Sequence, residues 1–221
     1  MDIQTKKLFF YAGVTAFVAG SMMTVMIVLM HIFPYANMLK YEQVRSVTQY
    51  SADLLQAGMP IRIVATIDHM FLIFVLATFL LVGQALKNEK NSLIITLAMI
   101  PALLTAGLDI GENHHVISMM TAVLQNIPIS QNEINTQAIL SLTKFHAGNI
   151  TFFLLAFFLP HKSIAEKILR FTLLFVLIPV SVIRYSFQDL MPESVISYIP
   201  IALGFLLASY VFIERSKMKT S

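Results

Sequence analysis

Long apolar runs separated by short polar stretches set the pattern of this chain. Six runs stand out: Leu8–Phe33, Ile63–Leu86, Leu93–Val116, Ala138–Leu159, Ile168–Tyr185 and Val195–Phe212. A helix of roughly 17–25 apolar residues crosses a hydrocarbon core of ~30 Å. Lipid offers no partner to an exposed backbone N–H or C=O, so each run is predicted to be helical. The expected fold class is therefore all-α: a polytopic membrane protein with six transmembrane helices in one bundle. Residues 1–221 read as a single domain. The first run exceeds the roughly 7–15 apolar residues of a signal-peptide core, so it is read as a retained first helix.

Two connections on one side of the expected bundle are long, residues 34–62 and 117–137. In the first, Met38, Leu39, Val44, Val47, Leu54 and Leu55 alternate with polar residues. That spacing predicts a helix lying along the membrane interface or capping the bundle. The second carries Met119, Met120, Val123 and Leu124, then Pro128 and a polar run. It predicts a short amphipathic piece followed by a loop.

Composition sharpens the picture. The chain is 57% hydrophobic and 12% charged, with a mean hydropathy of +0.76. A soluble domain carries roughly 25% charged residues, so lipid is the solvent for most of this chain. The net charge of +3 is scattered over short loops, which argues against nucleic acid as a partner. The absence of cysteine excludes disulfides, thiolate metal sites and a cysteine nucleophile. Lys6, Lys7, Lys87, Lys90, Lys162, Lys167, Arg170, Arg215, Lys217 and Lys219 fall on one side of the expected topology. Lys40, Arg45, Arg62, Lys144 and Arg184 fall on or toward the other. The positive-inside rule then places both termini in the cytoplasm of a multi-pass protein of the inner or plasma membrane.

The candidate chemistry centres on Leu104-Thr-Ala-Gly-Leu-Asp-Ile-Gly-Glu-Asn-His-His-Val116. On a helix Asp109, Glu112 and His115 follow at i, i+3 and i+6, with Thr105 about one turn earlier on nearly the same face. At ~1.5 Å per residue, Asp109 lies roughly 24 Å from the cytoplasmic end of its helix, Asp68 and His69 roughly 26 Å, and His146 and Arg184 roughly 21 Å. Four helices thus carry ionisable groups to a common depth, where exposure to lipid is expensive and an interior or wet cavity is the default.

Carboxylate oxygen and imidazole nitrogen suit a divalent metal such as zinc. Asp109, His115, His69 and His146 are the candidate ligands, with an open position for a water that ionises near neutral pH. Glu112 or Asp68 is the candidate general base, and Arg184 the candidate partner of an anionic head group or developing oxyanion. The corresponding activity is metal-dependent hydrolysis of an amphiphilic or lipid-like substrate. An alternative is a b-type haem held by His69 and His146 for electron transfer. Another is a transporter or receptor for a small polar ligand. Plainer roles stand beside these: Asp68 pairing with Arg62, Lys144 snorkelling to the surface, and Asn113 and Asn149 as interhelical hydrogen-bonding groups. Gly107 and Gly111, at G-x-x-x-G spacing, predict close helix packing.

Overall fold

Helix α1 (Ile3–Ile32) begins where the Asp2 carboxylate accepts the Thr5 N–H at 2.8 Å. That cap satisfies one of the orphan donors of the first turn. It also starts the helix five residues ahead of the apolar run expected from Leu8. Pro34 ends it, because a residue before proline is pushed out of the helical region. In the computed structural model residues 1–186 and 198–218 are described, the side chains of 184–186 excepted. The described residues are all helix and connection, with no strand. Among them, five helices are long and apolar enough to cross a membrane: α1, Val47–Leu86 (α2), Ser92–Leu124 (α3), Gln131–Ala156 (α4) and Ile199–Lys217 (α7). The segment between α4 and α7 holds Ile164–Phe171 (α5), a π-helical turn at Thr172–Val176, and Leu177–Ser186 (α6), which abut without a loop.

Helix α2 has 40 residues, roughly 60 Å of helix, twice what a bilayer core needs. Gly58, at φ 51 and ψ −137, breaks it into an outer arm and the span expected from Ile63. A side chain rarely adopts that backbone conformation, and Pro60 follows closely to restart the helix. The connection before α2 caps the bundle, one of the two arrangements its pattern predicts. Two 3₁₀ turns, Pro34–Ala36 and Met38–Lys40, fold it into the bundle. Met38, Leu39 and Tyr41 are buried there. The Tyr41 hydroxyl donates to the Tyr35 carbonyl at 2.7 Å, and the Tyr50 hydroxyl to the Tyr41 carbonyl at 3.2 Å. The amphipathic piece expected at Met119–Leu124 is the last part of α3, which runs on to Leu124. The chain then turns at once into α4, whose start is a capping box of Ser130 and Glu133.

Helices α1 and α7 pack antiparallel along a seam of small residues. A Cβ on Gly13 would stand 2.6 Å from Ile213 Cγ1, and one on Gly20 would stand 2.9 Å from Leu206 Cγ. The pairing of 13 with 213 and of 20 with 206 brings both chain termini to the same end of the bundle. Small residues let two backbones approach where lipid supplies no hydrophobic drive between helices. Gly107 and Gly111 do not serve this purpose: no atom lies within 4 Å of a Cβ built on either, and both are exposed on the outer face of α3. α2 packs on α1 and α3, α3 packs on α4, and the α5–α6 segment lies against α4 and α7. The core of the bundle is filled by Met23, Met26, Met30, Phe71, Phe79 and Phe205 with small residues between them.

Candidate functional site

The polar stripe of α3 faces α4. Asp109, Glu112 and Asn113 are all buried, and the side chains that meet the stripe come from Gln137, Ser141 and Lys144 of α4. Those α4 residues are four and three apart, so they form a matching stripe on one helical face. The two stripes run antiparallel and pair rung by rung. The Lys144 ammonium stands 2.8 Å from Asp109 Oδ1 and 2.5 Å from Glu112 Oε2. Ser141 Oγ donates to Glu112 Oε1 at 2.5 Å. His115 Nδ1 lies 2.9 Å from Gln137 Oε1. At the other end of the ladder Thr105 Oγ1 donates to the Lys144 carbonyl at 3.2 Å.

Two further acids approach from outside this pair of helices. Glu42, in the infolded connection before α2, places Oε1 3.8 Å from Lys144 Nζ. Asp68 of α2 accepts the Asn113 side-chain amide at 2.7 Å. Asp68 does not pair with Arg62, which instead donates to Thr121 Oγ1 at 3.1 Å. Lys144 does not snorkel to the surface: it is 8% exposed and forms the centre of the network. An ammonium in a low-dielectric interior is tolerated only when paired and hydrogen-bonded, and Asp109 and Glu112 meet that condition.

The histidines go elsewhere. His115 is engaged by Gln137. His69 lies beside His114, with ring centroids 5.2 Å apart. His146 is on the exposed face of α4, its Nδ1 2.7 Å from the Leu142 carbonyl. Among the described residues no three His, Asp or Glu side chains are grouped so as to hold a metal ion. Asp109 and Glu112 thus meet at Lys144 and Asp68 meets Asn113, while His69, His115 and His146 each contact a different partner. The Arg184 side chain lies outside the described residues.

The acid–lysine network borders a cavity of about 340 Å³ inside the bundle. Glu42, Asp68, Thr105, Asp109, Ser141 and Lys144 line its end beneath the infolded connection. Met23, Val75, Phe79, Phe152 and Phe205 line the end that points toward the chain termini. Between them Asn149 accepts a hydrogen bond from Ser181 at 3.4 Å. A hollow that is polar at one end and apolar along its length is the usual form of a site for a small molecule with a head and a tail. The chain matches no protein-family model, no curated protein and no solved structure.

The sequence pattern of α4 carried a signal for the missed half of the site. Gln137, Ser141, Lys144, Gly148 and Thr151 recur every three or four residues on a helix that is long and apolar enough to cross a membrane. A polar stripe of that period must face another helix or a cavity.

Proposed function

We propose that this protein is an integral membrane protein that binds an amphiphilic, lipid-like ligand within its bundle. The tail lies among Met23, Val75, Phe79, Phe152 and Phe205, and the polar end meets the network around Lys144. The observation that carries this reading is the cavity of about 340 Å³ with buried charge at one end only. In the same reading the uninterrupted helical run from Ile164 to Ser186, roughly 34 Å long, supplies a sixth crossing. The distribution of basic residues then puts both termini on the cytoplasmic face of an inner or plasma membrane. Hydrolysis at a metal held by Asp109, His115, His69 and His146, and electron transfer through a haem held by His69 and His146, both ask for those histidines in the cavity. None of His69, His115 and His146 is among its described lining residues, so the cavity favours ligand binding over either chemistry.

The test uses the purified full chain in lipid nanodiscs with a photoreactive alkyl diazirine of about 12 carbons. Labelling of peptides that contain Val75 and Phe152 is expected, and Val75→Trp, which fills the cavity, should suppress it several-fold. Labelling confined to lipid-facing residues, and unchanged in Val75→Trp, would refute ligand binding in this cavity.

A further inference from the structure

The sign of the charge at the polar end narrows the ligand class, a selectivity that rests on the binding site proposed above. We infer that the cavity selects amphiphiles whose polar end is a cation, an amine or quaternary ammonium, over those ending in a carboxylate or phosphate. Asp109 and Glu112 hold the Lys144 ammonium, and a further carboxylate, that of Asp68, lines the same cavity. That ammonium is already committed, at 2.8 Å to Asp109, 2.5 Å to Glu112 and 3.8 Å to Glu42. An anionic head group would have to draw Lys144 away from acids that are themselves buried. It would also enter a pocket lined by Asp68 and Asp109. Both effects strand unpaired charge in a low-dielectric interior, and such repulsion is how a site rejects the wrong partner.

Asp68 supplies the attraction. It stands on α2 and lines the same cavity as Lys144, and the partner of its carboxylate is the neutral amide of Asn113 at 2.7 Å. Among the described residues no lysine, arginine or histidine nitrogen is paired with it. A carboxylate held in place by an amide and facing a hollow is a counter-ion for a cation that arrives with the ligand. The rings of Phe71 and Phe145 also line the cavity. Phe145 already lies 4.9 Å from the Lys144 ammonium, so its face is placed to favour positive charge.

The experiment is displacement of the alkyl diazirine probe by dodecylamine, dodecanol and dodecanoate, with each competitor expressed as its mole fraction in the nanodisc bilayer. The amine should displace the probe at about tenfold lower mole fraction than the alcohol, and the carboxylate should be weakest. Asp68→Asn should abolish the advantage of the amine over the alcohol, and a circular-dichroism spectrum and unfolding midpoint like those of the original protein show that the variant is folded. Asp68→Glu, which keeps the charge, should retain the advantage. Equal displacement by all three head groups, stronger displacement by the carboxylate, or an amine advantage that survives Asp68→Asn would overturn the inference while leaving the cavity reading intact. Failure of the probe to label the cavity at all overturns that reading instead.

Discussion

Lys144 Nζ and Asp109 Oδ1 stand 2.8 Å apart in the protein interior, 35 residues apart in sequence. The contact joins α3 to α4 in an interior where neither charge would be stable alone. Glu112 shares the same ammonium, so one cation holds two acids of one helix. Removing that cation leaves the acids buried and uncompensated.

Lys144→Met is therefore expected to destabilise the fold by about 3–5 kcal/mol, the cost of breaking a buried ion pair on one side. Lys144→Met combined with Asp109→Asn and Glu112→Gln should recover much of that loss, because the two acids that share the ammonium are neutralised together with it. Thermal unfolding of the original protein and both variants in one detergent checks this. A triple variant less stable than Lys144→Met would contradict the role given to the ion pairs.

The glycines of α1 and α3 should respond in opposite directions. Gly13→Ala places a methyl 2.6 Å from Ile213 Cγ1 and 3.1 Å from the backbone nitrogen of Ile213 and the carbonyl oxygen of Ser209, so α1 and α7 must separate. Overpacking of this kind costs about 1–3 kcal/mol. Gly107→Ala meets open space and should gain roughly 0.5–1 kcal/mol from helix propensity. Unfolding midpoints of the two variants measured side by side test both signs.

Gly58 has room for a side chain but not the backbone geometry for one, at φ 51 and ψ −137. Gly58→Ala should cost about 1–3 kcal/mol through strain alone. The strain acts on the kink that holds the outer arm of α2, so proteolytic access to the connection before α2 is the most direct measurement. Faster cleavage between residues 34 and 58 is expected in the variant.

Tyr41 makes the same connection sensitive to alkali. Burial, reinforced by the nearby Asp53 carboxylate, pushes its hydroxyl well above the usual tyrosine value of 10. Below pH 10 the folded and unfolded chains both keep this proton, and the stabilisation is fully present. Above it the unfolded chain releases the proton while the folded one retains it, which favours unfolding. Stability should therefore fall as pH rises past about 10. Tyr41→Phe should lose the 2.7 Å hydrogen bond to the Tyr35 carbonyl, lowering stability at neutral pH by roughly 1 kcal/mol, and should flatten part of the alkaline decline. Denaturation midpoints taken at several pH values above neutrality test both parts.

The long apolar helices, five of them sufficient to cross a membrane among the described residues, were legible in the sequence because they depend on local quantities. Hydropathy over about 20 residues and the 3.6-residue period require no knowledge of the neighbours. The same locality made the Asp109, Glu112 and His115 stripe visible, and the stripe does face inward as a unit toward α4. The tertiary structure alone decided the partners. Lys144 reaches Asp109 across 35 residues, and Glu42 comes from the connection that folds over the bundle before α2. His115 is taken by Gln137 and His69 lies against His114, pairings that depend on how two helices are rotated about their axes. The packing glycines proved to be Gly13 and Gly20, not Gly107 and Gly111, for the same reason: spacing defines a face, but only the position of a neighbouring helix determines whether that face is covered. A cavity between helices is a property of their joint packing, and no single segment encodes it.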